Sequence, residues 1–391
     1  MALKKISEFV VSNPKVKLDS ENEYDFVEMS DIVPGRRYVY SHQIKMVRGG
    51  SKFQHGDILF ARITPCLEHG KIAQYISSEN KSAFGSTEFF VFRNIPGVSD
   101  INYLYYLLLT DDIRKPAEQS MVGASGRQRA DIDAIKNIEI DLPIIECQRK
   151  IGKILSNYDN LAENNSRRVE IIESMAKLIY DEWFVKFKFP GHEKVKLAES
   201  GTDFGEIPED WEVKSVKELL KRHPAGKKYT QDNVESEGRI PVVDQSEKEF
   251  LGFHNLEADH KANPEHPIMI FGDHTCKMKI MVKPFSVGPN TIPFISTKYS
   301  EAYIYFLIRN LVHTQEYKRH WNELIVKKVV VPKKEIVDEF AALVMPMLQQ
   351  INVLQERKLN LAAARDLLLA KLISGELDVS ELGIKVSEVE V

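Results

Sequence analysis

The stretch IEIDLPIIECQRKIGKILSNYDNLAENNSRRVEIIESMAKLIYDEWF, residues 138–184, decides the fold. It opens on a short apolar run ending at Pro143. From Cys147 onward it holds no proline and one glycine, Gly152. Ile151, Tyr158, Asn165, Ile172 and Ile179 recur every seven positions, and Leu155, Ala162, Val169 and Ala176 form a second stripe. Heptads sustained over this length predict a long helix packed in coiled-coil fashion, spanning about 55 Å at 1.5 Å per residue. The plainer alternative is an ordinary amphipathic helix in a domain core.

The same design occurs again. VVVPKKE, residues 329–335, is followed by Phe340, Met347, Leu354, Leu361 and Leu368 at seven-residue spacing. Pro143 maps onto Pro332, Ile151 onto Phe340 and Ile179 onto Leu368, an offset of 189. Upstream, Lys4, Ile6 and Glu8 map onto Lys214, Val216 and Glu218, an offset of 210. ILFARITPC (58–66) lies beside IMIFGDHTC (268–276) at the same 210. A common order of weak matches predicts an internal duplication whose second copy is shorter in its middle. The parts before the helices read as short strands bounded by Gly, Pro, Asp and Asn, each with one helix candidate, NYLYYLLLTDDIR or EAYIYFLIRNLVHTQEY.

The expected fold class is α+β. Its parts are a mixed domain (1–146), a long helix (147–186), a Gly/Pro-rich linker (187–204), a second mixed domain (205–333), a second long helix (334–375) and an acidic tail (376–391).

The chain has 391 residues, 43% hydrophobic and 28% charged, which suits two or three soluble domains. It shows no apolar run of transmembrane length and no signal-peptide pattern at its start. Cys66, Cys147 and Cys276 are widely spaced, which suits a reducing, cytoplasmic setting. The net charge of −4 resides in the tail, where five acids face one lysine. Basic islands occupy residues 36–71, 214–228 and 309–334, and read either as phosphate-contacting surfaces or as solvated faces.

Catalytic motifs are missing. There is no phosphate loop of the GxxxxGK[ST] type, no Gly-rich cofactor loop and no zinc spacing. Asp210 to Lys214 resembles a nuclease fragment only by chance spacing at a linker end. His274, near Cys276, is expected to be a polar loop residue, and Cys66 and Cys276 partly buried small side chains.

GEIPEDWEVKSVKELL (205–220), GDILFARI (56–63), VGPNTIPF (287–294), VGASGRQRADI (122–132), IEIDLPIIECQRKIGKIL (138–155) and LLLAKLISGEL (367–377) together resemble the specificity subunit of type I restriction-modification systems. The resemblance spans nearly the whole chain. One departure is the absence of an Ile-Pro-x-x-Trp lead before the first copy. The resemblance implies two target recognition domains, each reading half of a bipartite asymmetric DNA site, held apart by an antiparallel coiled coil of the long helices. It implies double-stranded DNA, two modification (methyltransferase) subunits and two restriction (endonuclease/translocase) subunits as partners, with no membrane. It implies no catalytic or metal site and no cofactor in this chain; S-adenosylmethionine, ATP and magnesium would belong to the partners. Two other readings remain open: a non-catalytic protein-binding scaffold and a fused methyltransferase-specificity enzyme.

DNA contacts require cations and hydroxyls for phosphates, and Arg, Asn, Gln, Asp or Glu for base edges. In the first domain the candidates are Arg62, Thr64, Lys71, Ser125, Gly126, Arg127, Gln128 and Arg129. Arg62 could instead pair with Glu68, and the 125–129 loop could be merely solvated. In the second domain they are Lys227, Lys228, Tyr229, Asp273, His274, Thr275, Lys277, Lys279, Arg319, His320 and Asn322. Trp321 is expected to pack rather than to wedge between bases.

Overall fold

The computed structural model describes residues 2–384 except 80, 125–126, 225, 247–248 and 316–317. The chain divides into two compact units, one from Met1–Asn165 with Arg357–Val391, the other from Ser166–Glu356. Their boundaries differ from the linear domain order, because each long helix contributes to both. The candidate loop residues Ser125 and Gly126, and the tail beyond Ile384, lie outside the described residues.

In the first unit, a five-stranded sheet has the order Val10–Ser12, Phe89–Asn94, Ile58–Ala61, Ile72–Tyr75 and Tyr38–Val39. All its pairs are antiparallel except the last. The central strands bury every residue of ILFA and IAQY, so they read as continuous apolar runs with no period of two. A four-stranded sheet of Gln43–Met46, Glu23–Val27, Ser82–Gly85 and Ser51–Gln54 accompanies it. The helix Ile101–Leu108, capped by the Asp100 carboxylate on the Tyr103 N–H, buries six of its residues beneath the larger sheet.

The second unit repeats this plan. Leu220–Arg222, Thr291–Ser296, Ile268–Gly272 and Met278–Met281 form its main sheet, and Glu301–Ile308 is the covering helix, capped by Ser300. The duplication is exact at the entrance pair. Ala2 to Lys5 pairs with Leu142 to Glu139, and Glu212 to Ser215 with Val331 to Lys328, at the offsets 210 and 189. The Ile6 N–H donates to Ile138 O, and the Val216 N–H to Lys327 O.

The strand register corrects one sequence match. Phe92 pairs with Ile58, whereas Phe294 pairs with Met269; Phe92 and Phe294 are counterparts, because Val10–Asn94 and Leu220–Ser296 pair alike. The offset at this strand is therefore 211. Arg62 corresponds to Asp273 and Thr64 to Thr275, while Cys66 and Cys276 are not counterparts. An identity of letters at 210 had competed with the ladder, and the ladder decides which side chain faces the core.

The long helices run Ile145–Tyr180 and Lys334–Ile373. The second continues through an exposed Pro346. Within the second unit, Val169, Ile172, Ala176 and Ile179 join a core with Val337, Phe340, Val344, Leu348 and Ile351. Within the first, Ile151 and Leu155 share a core with Leu368, Leu369 and Leu372. A second seven-residue row of the later helix, Val337, Val344, Ile351, Lys358, Arg365 and Leu372, escaped the sequence pattern because two of its members are charged. The stretch read as a linker carries structure of its own: Leu197–Glu199 pairs antiparallel with Glu206–Pro208.

Candidate nucleic-acid interface

The same backbone device stands at the end of one central strand in each unit. In the first, the Arg62 N–H donates to Glu88 O at 3.0 Å, and Arg62 O accepts from the Ala130 N–H at 2.8 Å. Where the chain enters Ala130, Val122 and Arg129 exchange both backbone bonds. Gly123 sits at φ +141°, where an added Cβ would meet Arg127 O at 2.9 Å, so this turn requires glycine. The Thr64 N–H and hydroxyl both donate to Gln128 O, pinning the loop to the strand end.

This places Glu88 between two arginines. Arg129 Nη2 lies 2.6 Å and Arg62 Nε 3.5 Å from its carboxylate, and the Arg62 guanidinium also lies over the Phe90 ring. Arg62 thus pairs with Glu88, not Glu68. The hydrogen bond from Arg129 and the nearby charges hold the Glu88 carboxyl below the usual carboxylate range, against a partial desolvation. Arg127 and Arg129 are exposed, and Gln128 is half-buried. Lys71 is tied down: its ammonium donates to Met29 O at 2.7 Å.

In the second unit the Asp273 N–H donates to Asn290 O, and Asp273 O accepts from the His320 N–H, both at 2.8 Å. Arg319 therefore occupies the place of Arg129, Asp273 that of Arg62, and Asn290 that of Glu88. The acid has moved from one strand to its neighbour. Arg319 Nε stands 3.9 Å from Asp273, and the Asp273 carboxylate accepts from the Trp321 N–H at 2.9 Å. Arg222, His223, Lys228, Asp273, Asn290 and Arg319 line a cleft of about 360 Å³. Arg222, Lys227, Lys228, Arg319 and Asn322 are exposed.

Burial corrects two candidates. His320 is fully enclosed, its Nε2 accepting from the Gln315 N–H and its Nδ1 lying 3.2 Å from Glu323. Tyr229 is buried and stacked on His254, centroids 4.3 Å apart, with Lys227 over its ring. Neither side chain presents a surface to a groove. Trp321 is buried against Phe271 and Phe294. The remaining candidates are half-buried and engaged at home. The His274 ring bonds Lys318 O, the Thr275 hydroxyl donates to Gln245 O, Lys277 reaches Ser246 O, and Lys279 pairs with Glu249 at 2.7 Å. These contacts shape the rim from which Arg319 and Lys228 project.

Sequence reasoning did not single out Glu88 or Asn290, and it held Arg222 only as part of the basic island 214–228. Glu88 and Asn290 each precede an apolar strand; Asn290 lies in the VGPNTIPF stretch, but only cross-strand pairing brings either residue to the site. Among the described residues no cluster of three or more His, Cys, Asp or Glu could hold a metal ion, and no helix is long and apolar enough to cross a membrane.

Comparison with known proteins places this geometry in context. Residues 5–174 match the family described as type I restriction modification DNA specificity domain. The chain is 27% identical over 318 residues to the type I restriction enzyme MjaIX specificity subunit of Methanocaldococcus jannaschii, covering 74% of this chain and 73% of the relative. It is 26% identical to the EcoAI specificity subunit of Escherichia coli over 43% of this chain and 30% of the relative. The crystal structure of a type I restriction-modification S subunit from M. genitalium superposes with a TM-score of 0.55 at 16% identity, covering 95% of this chain and 96% of the other, and so shares the fold.

Proposed function

We propose that the chain is a specificity subunit of a type I restriction-modification system, a non-catalytic component whose part is DNA sequence recognition, and that its two mixed domains read the two halves of a bipartite asymmetric DNA site; the family match over residues 5–174 and the likeness to the MjaIX specificity subunit support this reading. The observation that carries this is the pair of strand-end sites. The backbone hydrogen bonds are the same in both, while the charges are permuted: Arg62, Arg129 and Glu88 in one, Asp273, Arg319 and Asn290 with Arg222 in the other. A common scaffold places donors and acceptors alike, and the exchanged side chains select different base edges.

In this reading Arg127, Arg129, Arg319 and Asn322 face base edges, and Arg222, Lys227 and Lys228 face phosphates. The long helices act as an antiparallel spacer that fixes the half-site separation, as protein geometry does in other bipartite readers. Two modification subunits dock on the helices and bring S-adenosylmethionine; two restriction subunits bring ATP and magnesium. The assembly works in the cytoplasm, where its DNA is. This chain supplies no cofactor chemistry.

The test is a genome-wide map of methylated sites in cells carrying this chain with its modification subunit, beside the Arg129→Ala and Arg319→Ala variants. Each variant should relax one half of the site and leave the other intact. If both variants keep the parental map, the strand-end sites are not the readers. A protein-binding scaffold would show no steep loss of DNA affinity with salt.

A further inference from the structure

In the core of the first unit stands a polar network whose counterpart in the second unit is apolar. In the first unit, Arg37 donates to Gln74 Oε1 at 2.9 Å, to Asn102 Oδ1 and to the Tyr106 hydroxyl at 3.3 Å. The Tyr106 hydroxyl donates to Asp159 Oδ2, and Arg365 Nη1 donates to Asp159 Oδ1 at 2.5 Å and to Gly35 O at 3.4 Å. Arg37, Gln74, Asp159 and Arg365 are all buried. This continuous polar network joins the first mixed domain to the early part of the first long helix and the late part of the second.

The counterparts in the second unit are apolar. Helix residues 101–108 and 301–308 align at an offset of 200, which sets Asn102 against Ala302 and Tyr106 against Phe306. The strand register sets Gln74 against Ile280. The helix offset of 189 sets Asp159 against Leu348 and Arg365 against Ala176. All five counterparts are buried in one hydrophobic cluster.

We propose that this network selects the pairing partner of the long helices: it makes a first helix pair with a second helix and excludes pairing of either helix with its own copy from another chain. A duplicated chain carries two helix halves of similar shape that can compete for one seat. If the first helix of another molecule covered the first unit, Ala176 would take the seat of Arg365, and the Asp159 carboxylate would be enclosed without its cation. If the second helix paired with its own copy, Arg365 would meet Leu348. The first error strands the Asp159 carboxylate, and the second leaves the buried Arg365 guanidinium with only the exposed Asp366 of its own helix, whereas the correct pairing satisfies both Asp159 and Arg365. A single polar position in an apolar seam specifies partner in the same way. The inference concerns chain pairing and goes beyond the DNA reading; it is testable without DNA.

The experiment co-expresses two full-length chains with different tags and measures the fraction of protein carrying both, with sedimentation velocity on the same samples. The parent chain should show little mixing. The triple variant Tyr106→Phe, Asp159→Leu, Arg365→Ala, which places the second unit's residues at the three positions nearest the helix seam, should raise the mixed fraction at least about tenfold, equal to about 1.4 kcal/mol of lost discrimination. A folded triple variant that mixes no more than the parent overturns the proposal, as does a parent that mixes as freely as the variant. Should the triple variant not fold, Arg365→Lys and Arg365→Met decide. Lys, which keeps a cation against Asp159, should mix as the parent does, and Met should mix more; equal fractions overturn the proposal.

Discussion

Replacing Arg365 with alanine should destabilise the first unit far more than a typical helix-surface change. Its side chain is 7% exposed and that of Asp159 is 6% exposed, so water screens the pair little. Removing the guanidinium deletes its bonds to Asp159, Gly35 and the exposed Asp366, and leaves the Asp159 carboxylate with only the Tyr106 hydroxyl among the contacts described above. Breaking a buried pair from one side costs about 3–5 kcal/mol, because the remaining charge keeps its desolvation penalty. At about 2–4 °C per kcal/mol for a unit of this size, the melting midpoint should fall by about 6–20 °C. Replacing both members, Asp159→Leu with Arg365→Ala, should recover most of that loss, since leucine and alanine are what the second unit uses at these seats. The strong non-additivity is the signature of direct coupling. Scanning calorimetry on the four chains of the cycle measures it. An Arg365→Ala loss under about 1 kcal/mol would refute the reasoning, for it would mean the pair is screened as surface pairs are.

Arg129→Ala in the assembled complex should weaken binding to duplexes bearing the first half-site by about 5- to 150-fold, the range of a lost bidentate base contact, with less effect on a duplex bearing only the second; fluorescence anisotropy at fixed salt checks this. Lys228→Ala, by contrast, should weaken all duplexes alike and lower the salt slope by about 0.9, as a lost phosphate contact does. Burial holds the His254 imidazole below its ordinary value of 6.5, assisted by Lys227 and Arg239 and opposed by Asp259. Its neutral form is favoured in the folded state, so this stabilisation is full above about pH 6.5 and is lost as pH falls below it. Thermal melts of the parent should drop on acidification in that window, and those of His254→Asn should drop less. Deleting one heptad from each long helix should shorten the spacer by about 10 Å, about three base pairs, while the half-site sequences stay the same in a methylation map.

The sequence by itself determined the periodic elements and the duplication. Seven-residue spacing from Ile151 to Ile179 and from Phe340 to Leu368 is a local property, because helix geometry turns spacing directly into a face. The entrance strands were legible for a like reason: Lys4 and Lys214, then Pro143 and Pro332, keep one order, and both pairings close in the same register. The loop at Arg127–Arg129 was visible as a basic, glycine-containing stretch.

Only the tertiary structure decided which charges meet. Glu88 reaches Arg129 across 41 positions, and Asp159 reaches Arg365 across 206. No local pattern encodes such pairs, because an isolated acid in a strand or helix looks like a solvated surface residue until a partner is folded against it. Burial was equally hidden for His320 and Tyr229, whose polar tips find partners at home. The strand offset of 211 rather than 210 shows the physical reason in its smallest form. A one-residue shift costs nothing in the string of letters, but in a sheet it turns every side chain to the other face.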